Sequence, residues 1–122
     1  ECFFLGIAEA KAGNHLSDIA RAVETHAAKH GYGVVRDLVG HGIGRQMHEP
    51  PEVPNFTDPK IGRGIRLEPG MTIAVEPMIN AGGWQVYEET NGWTVVTSDG
   101  SLSAHYENTI AITQGEADIL TL

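Results

Sequence analysis

Residues 71–76, Met-Thr-Ile-Ala-Val-Glu, alternate between larger apolar side chains and small or polar ones. Because successive side chains of a β-strand point to opposite faces of the sheet, this alternation predicts a strand with one apolar face. The apolar face consists of Met71, Ile73 and Val75, and the opposite face consists of Thr72, Ala74 and Glu76. The strand therefore presents a carboxylate from a face that otherwise carries small side chains.

A second segment, residues 105–112, has the same alternation. One predicted face consists of Tyr106, Asn108, Ile110 and Ile112, and the other consists of His105, Glu107, Thr109 and Ala111. Burying a lone carboxylate is costly, so Glu76 and Glu107 require a cation or a cluster of hydrogen-bond donors beside them. For His105, we favour packing or a hydrogen bond over a role in supporting a metal ligand.

Around these strands, the pattern predicts an α+β fold of two antiparallel helices followed by an antiparallel sheet. We expect the helices over residues 1–12, which Gly13 ends, and 17–29, with further strands at 34–35, 71–79, 93–97, 103–113 and 118–122. The apolar stripe of the second helix consists of Leu16, Ile19, Ala20, Val23 and Ala27. Prolines and glycines exclude a helix across residues 49–70 and predict an irregular surface connection there.

Composition narrows the class of protein. A length of 122 residues favours one unit, and 8 Lys+Arg against 16 Asp+Glu give a net charge of −8, which excludes nucleic acid as the main partner. The single cysteine, Cys2, cannot form an intrachain disulfide, and neither a signal peptide nor a membrane-spanning run is present. We expect a soluble protein of a reducing compartment.

Residue 1 is Glu with no capping residue before it, so we expect a segment upstream.

A third element, residues 40–49, reads Gly-His-Gly-Ile-Gly-Arg-Gln-Met-His-Glu. It matches neither a dinucleotide-binding fingerprint nor the HExxH motif, since the glycines fall at every second position and prolines follow His48. Glycines on both sides of His41 allow close approach of neighbouring backbones. A histidine together with carboxylates on strands favours a site for Mn, Fe, Co or Zn.

Five segments together resemble the signatures of type I methionine aminopeptidases. They are residues 40–45 with 48–49, 67–78, 92–95, 102–110 and 119–122. The resemblance implies a pita-bread fold, a pseudo-symmetric α+β arrangement of which residues 1–122 form the C-terminal half as a single unit. It also implies that the N-terminal half of the fold lies outside residues 1–122.

The resemblance also implies roles for individual residues. The implied metal ligands are His41, Glu76 and Glu107. Glu76 doubles as a proton shuttle, Glu107 bridges two metal ions, and His48 contacts the substrate amide and the tetrahedral intermediate. Met47 and Trp93 line the pocket for the methionine side chain, although without the resemblance both would be assigned to the core. Two further aspartate ligands of the family have no counterpart here.

The implied activity is removal of the initiator methionine from peptides and nascent proteins by a hydroxide held on two divalent ions (Co, Mn, Fe or Zn). With two ligands absent, we expect the isolated chain to bind metal weakly and to be almost inactive, and its clustered carboxylates to destabilise it. The implied partners are a peptide or protein N-terminus that begins with Met, the ribosome only indirectly, and the missing N-terminal half. The implied location is the cytoplasm, and neither a membrane nor a nucleic acid is expected as a partner.

Two alternatives stay open at this point. One is a related pita-bread peptidase that cleaves X-Pro bonds, which the segments around Trp93 and Ser103 disfavour. The other is a non-catalytic peptide-binding module. The presence of three candidate metal ligands argues against the second alternative, because a pure binding module does not need them.

Overall fold

The computed structural model describes residues 1–122 and has two helices followed by ten strands. The helices are α1 (Cys2–Ala8) and α2 (Leu16–Lys29). The strands are β1 (Gly33–Val34), β2 (Gly40–Gly42), β3 (Glu49–Val53), β4 (Thr72–Val75), β5 (Met78–Asn80), β6 (Val86–Glu88), β7 (Val95–Thr97), β8 (Ser103–His105), β9 (Asn108–Ala111) and β10 (Asp118–Ile119). The predicted α+β order of helices followed by strands is confirmed.

The strands form one main sheet and two smaller ones, and every pairing is antiparallel. The main sheet has five strands in the order β10-β9-β4-β2-β3, the second has three in the order β1-β5-β8, and β6 and β7 form a separate hairpin. Both helices lie on one face of the main sheet, because residues of α1, α2 and the sheet share one buried core. The other face of the main sheet carries the candidate site.

The apolar stripe predicted for the second helix is confirmed, since all five of its residues are buried. The first helix is shorter than predicted, because it ends at Ala8 and Gly13 lies in a turn with φ +95°. It also packs through Phe3 and Gly6, whereas Phe4 is half exposed. Gly6 allows α1 to approach Val23 of α2, where an added Cβ would come within 2.9 Å of a methyl carbon. Neither helix combines the length and apolar character needed to cross a membrane.

The faces predicted from the alternation of β4 and β9 are confirmed. Ile73 and Val75 pack with Ile110 and Ile112 in the core beneath the helices. The register pairs β4 with β9 antiparallel over four residues, so side chains on the opposite face also adjoin across the two strands.

The two long predicted strands are each divided by a bend. Residues 71–79 split into β4 and β5 at Glu76, and residues 103–113 split into β8 and β9 around Glu107. At the bend, the backbone N–H of Tyr106 donates to the carbonyl of Pro77. Proline lacks the N–H that would continue the ladder, which explains the break after Glu76. The two segments therefore pass together from the main sheet to the second sheet. Glu76 lies at the bend of one segment and Glu107 at the bend of the other.

The expectation of a wholly irregular connection over residues 49–70 is wrong at its start. Residues 49–53 form β3, which pairs with β2 at the edge of the main sheet. An edge strand tolerates Pro50 and Pro51 because one side of its backbone needs no ladder partner. The sequence pattern excluded a helix correctly, but proline content alone cannot exclude an edge strand.

Candidate metal centre

His41 lies in β2 between two glycines that the packing of the neighbouring strands requires. A Cβ at Gly40 would collide with the carbonyl oxygen of Ala74 in β4, and one at Gly42 would collide with that of Pro50 in β3. The pairing of β2 with β3 is also irregular between His41 and Gly42. A larger residue on either side would push the strands apart and move the imidazole, so the close approach expected from the glycine spacing is confirmed.

The His41 imidazole is held in one orientation by its own strand. Its Nδ1 lies 2.8 Å from the backbone carbonyl oxygen of Gly42, and since a carbonyl only accepts, Nδ1–H is the donor. The other nitrogen, Nε2, faces Oε1 of Glu76 at 3.4 Å. A divalent cation bound beside Nε2 and Oε1 would be shared by the imidazole and the carboxylate. Metal-binding histidines are commonly oriented by such a carbonyl contact.

Sheet register brings three candidate ligands to one point. His41 is paired with Ala74, and Ala74 is paired with Thr109, so these three side chains share a face of the main sheet. Glu76 lies two positions after Ala74 and Glu107 lies two positions before Thr109, which places both toward the same face. One ligand atom each from His41, Glu76 and Glu107 lies within 4.8 Å of the others.

The two carboxylates differ in their surroundings. The side chain of Glu76 is 12% exposed, whereas that of Glu107 is 44% exposed. The pKa of Glu76 is raised above its ordinary value of 4.5, first by burial and second by the charge of Glu107, against smaller lowering effects of His105 and His41. The negative charge of a carboxylate in these surroundings is not fully compensated by nearby positive charge of the protein. A divalent cation would supply the missing positive charge.

His105 adjoins both carboxylates. Its Nε2 lies 3.1 Å from Oε2 of Glu76 and 3.9 Å from Oε2 of Glu107. The first distance is that of a hydrogen bond, and the partner of His105 in it is itself a candidate metal ligand. Glu76 is thus flanked by an imidazole at each carboxylate oxygen, His41 at Oε1 and His105 at Oε2.

The other residues singled out by sequence lie outside this cluster. His48 is exposed, and the centre of its ring lies 4.2 Å from that of His41, beside a groove of about 400 Å³ along β3. Met47 and Trp93 are 69% and 79% exposed, so the core position that both would be assigned without the resemblance is wrong. Trp93 lies in the turn between β6 and β7.

Comparison with known proteins identifies the family of the chain. Residues 1–114 match the model of metallopeptidase family M24. The chain belongs to metallopeptidase family M24. This M24 chain is 54% identical over 122 residues to a methionine aminopeptidase of Clostridium acetobutylicum, and the match covers 100% of this chain and 48% of that relative.

Solved structures extend the comparison to the fold of the M24 chain. The crystal structure of methionine aminopeptidase from Rickettsia prowazekii matches with a TM-score of 0.93 and 44% identity, over 99% of this chain and 48% of that one. Methionine aminopeptidase from Thermotoga maritima gives a TM-score of 0.92 and 44% identity, over 98% and 47%. The expected pita-bread fold is confirmed, and the M24 chain spans about half the length of these relatives.

Membership of a metallopeptidase family implies divalent metal, and the residues of this M24 chain fit it. Two carboxylates and an imidazole are donors that Mn, Fe, Co and Zn accept. Donors 2.0–2.2 Å from a tetrahedral ion lie about 3.3–3.6 Å apart. His41 Nε2 and Glu76 Oε1 are separated by 3.4 Å, so these atoms have the spacing of ligands around a single ion.

One residue that supports the site of the M24 chain was not predicted from the sequence. Asn55 is fully buried just after β3, and its Nδ2 donates to the backbone carbonyl of Glu76 over 3.2 Å. The amide thereby holds the end of β4 at the bend, where Pro77 cannot contribute an N–H. No local pattern distinguishes this asparagine from others in a proline-rich segment, so only the folded structure identifies it.

Proposed function

We propose that residues 1–122 are one half of a metal-dependent methionine aminopeptidase that removes the N-terminal methionine from peptides and nascent proteins. The observation that carries the proposal is the convergence of His41, Glu76 and Glu107 within 4.8 Å. The identity of 54% to a relative named methionine aminopeptidase supports the choice of substrate.

The proposed ligands divide between two ions of Co, Mn, Fe or Zn. His41, Glu76 and Glu107 would hold the first ion, and Glu107 would also be a ligand of the second. Such ions, when bound, supply a Lewis acid and lower the pKa of water. Because the chain spans 48% of the relative's length, the remaining ligands come from outside residues 1–122, and the isolated chain binds metal weakly.

Two side chains then transfer a proton and stabilise negative charge during hydrolysis. Glu76, whose pKa is raised by burial and by Glu107, accepts a proton from the attacking water and passes it to the leaving amine. His48, exposed beside His41, donates a hydrogen bond to the carbonyl oxygen of the scissile bond as negative charge develops there. Met47 and Trp93 contribute apolar surface to the pocket for the methionine side chain.

Complementation tests the activity. The chain is co-expressed with the half of the Clostridium acetobutylicum relative that it does not cover, and release of methionine from a Met-Ala peptide is measured with Mn²⁺ or Co²⁺. We expect negligible release by either half alone and clear release by the pair. An Ala-Pro peptide serves as the comparison substrate, and preferential cleavage of that peptide would favour an X-Pro peptidase instead.

Variants of the complemented protein separate the proposed roles. Glu107→Ala should abolish turnover and reduce metal content, because it removes a ligand shared by both ions. His48→Ala should lower kcat by about 10²–10³ with metal content retained, as expected for the loss of one donor to the developing oxyanion. Equal loss of metal in the two variants would contradict these assignments.

A further inference from the structure

We propose that His105 is a positioning residue, which orients the Glu76 carboxylate so that one of its oxygens is free to bind metal beside His41. The inference rests on the proposed metal centre and deepens it. In this role His105 is not a metal ligand, and it acts only through Glu76.

The backbone pairing around Glu76 does not determine where its carboxylate points. Glu76 lies in the gap between β4 and β5, outside both strands. The pairing of β2 with β4 ends at His41 and Ala74, two positions before Glu76. The only hydrogen bond of the Glu76 side chain joins its Oε2 to Nε2 of His105, over 3.1 Å. The orientation of the carboxylate therefore depends on this contact.

The contact leaves the two oxygens of Glu76 with different partners. Oε2 is held by His105, and Oε1 lies 3.4 Å from Nε2 of His41, which is the spacing of two ligands around one ion. A carboxylate only accepts hydrogen bonds, so Nε2–H of His105 is the donor. A neutral ring protonated at Nε2 and a charged ring both donate from this atom, so the contact does not require a particular charge on His105.

His105 is itself held by the second sheet. It ends β8, where it is paired with Met78 of β5. Its Nε2 lies 3.9 Å from Oε2 of Glu107, which is too far for a hydrogen bond, so Glu76 is its hydrogen-bond partner. Loss of a group that orients a metal ligand commonly costs about 10–100-fold in metal affinity. The affinity for metal should therefore depend on His105 even though the ring does not touch the ion.

Zn²⁺ affinity of the 122-residue chain tests this role, by competition with a weak chromophoric chelator. His105→Ala removes the donor and should weaken Zn²⁺ binding about tenfold. His105→Gln offers an amide N–H to the same oxygen and should bind Zn²⁺ within about threefold of the parent. His30→Ala removes an exposed histidine at the end of α2 and should leave the affinity unchanged. Parental affinity in His105→Ala, or no recovery in His105→Gln, would overturn the positioning role.

Zinc X-ray absorption distinguishes positioning from ligation. We expect one imidazole on the bound ion in the parent chain, still one in His105→Ala, and none in His41→Ala. Two imidazoles in the parent chain would make His105 a ligand and would overturn the inference.

Urea unfolding in EDTA tests the contact without metal. His105 is 47% exposed, so its replacement by alanine leaves the core intact. His105→Ala should lower the urea midpoint of the parent and leave that of Glu76→Ala unchanged, because only the parent has the hydrogen bond to lose. An equal decrease in both backgrounds would show that the contact contributes nothing and would overturn the inference.

The outcomes separate this inference from the proposed function. A parent chain that binds Zn²⁺ through one imidazole, with the same affinity after His105→Ala, would leave the metal centre standing and overturn only the role of His105. A parent chain that binds no Zn²⁺ would overturn both.

Discussion

Replacement of Glu76 by glutamine should make the metal-free chain more stable at neutral pH while weakening its binding of divalent metal. Glu76 is largely buried, and its carboxylate shares a small volume with that of Glu107. Glutamine has nearly the same shape, can still accept a hydrogen bond from His105, and carries no charge. The variant therefore removes the repulsion without opening a cavity.

The size of the effect follows from the separation of the two carboxylates. Ligand atoms of Glu76 and Glu107 lie within 4.8 Å. Two unit charges 4.8 Å apart repel by about 0.9 kcal/mol at the dielectric constant of water and by about 3.5 kcal/mol at an effective value of 20. Glu107 is half exposed and the nearby histidines offset part of the repulsion, so we expect a gain in the free energy of unfolding of about 1–2 kcal/mol.

The gain should depend on pH with a defined sign. The pKa of Glu76 is raised in the folded chain, so the folded state holds this proton more tightly than the unfolded state does. Stability of the parent therefore falls as pH rises through the ordinary pKa of 4.5, and the loss is complete above the raised pKa. The advantage of Glu76→Gln should be absent well below pH 4.5 and full above the raised pKa of Glu76.

Urea unfolding in EDTA at low protein concentration measures the difference. With a slope of about 2 kcal/mol per molar urea, the midpoint of Glu76→Gln should rise by about 0.5–1 M at pH 7. Glu107→Gln is the matched control, because it removes the same repulsion at a more exposed carboxylate. The free energy of unfolding of the double variant should rise by less than the sum of the two single increases. Zn²⁺ at 100 times its Kd should stabilise the parent by about 2.7 kcal/mol and the Glu76→Gln variant by less. A Glu76→Gln variant less stable than the parent at pH 7 in EDTA would refute the reasoning.

Three further outcomes are expected. Gly42→Ala should lower the free energy of unfolding by about 1–3 kcal/mol in urea melts and weaken metal binding in calorimetry, because the added Cβ collides with backbone carbonyls. Gly115→Ala, at an open position, should change neither quantity. Ile73→Ala should cost about 2–5 kcal/mol in urea unfolding, and half-exposed Ile61→Ala should cost far less. The chain should bind a hydrophobic dye and sediment as an assembly, since side chains such as Trp93 are exposed; a monodisperse, dye-negative monomer with a cooperative melt would contradict this.

Much of the local structure followed from periodicity. The alternation in residues 71–76 determined which side chains of β4 face the core, because a strand has a side-chain period of two in any context. The stripe of the second helix followed in the same way from a period of 3.6. The local pattern gave a wrong prediction where a neighbouring strand decides the structure. β3 forms at a sheet edge despite Pro50 and Pro51, because β2 lies beside it. The first helix buries Phe3 and Gly6 because α2 packs there.

The sequence by itself determined the fold class, the faces of the strands and the types of donor available, because these depend on backbone geometry and side-chain chemistry. Only the tertiary structure decided that His41, Glu76 and Glu107 meet within 4.8 Å. Their meeting depends on the register of β2, β4 and β9 and on a shared bend at Pro77, which are long-range pairings. The same holds for Asn55 and His105, whose contacts with Glu76 join segments far apart along the chain.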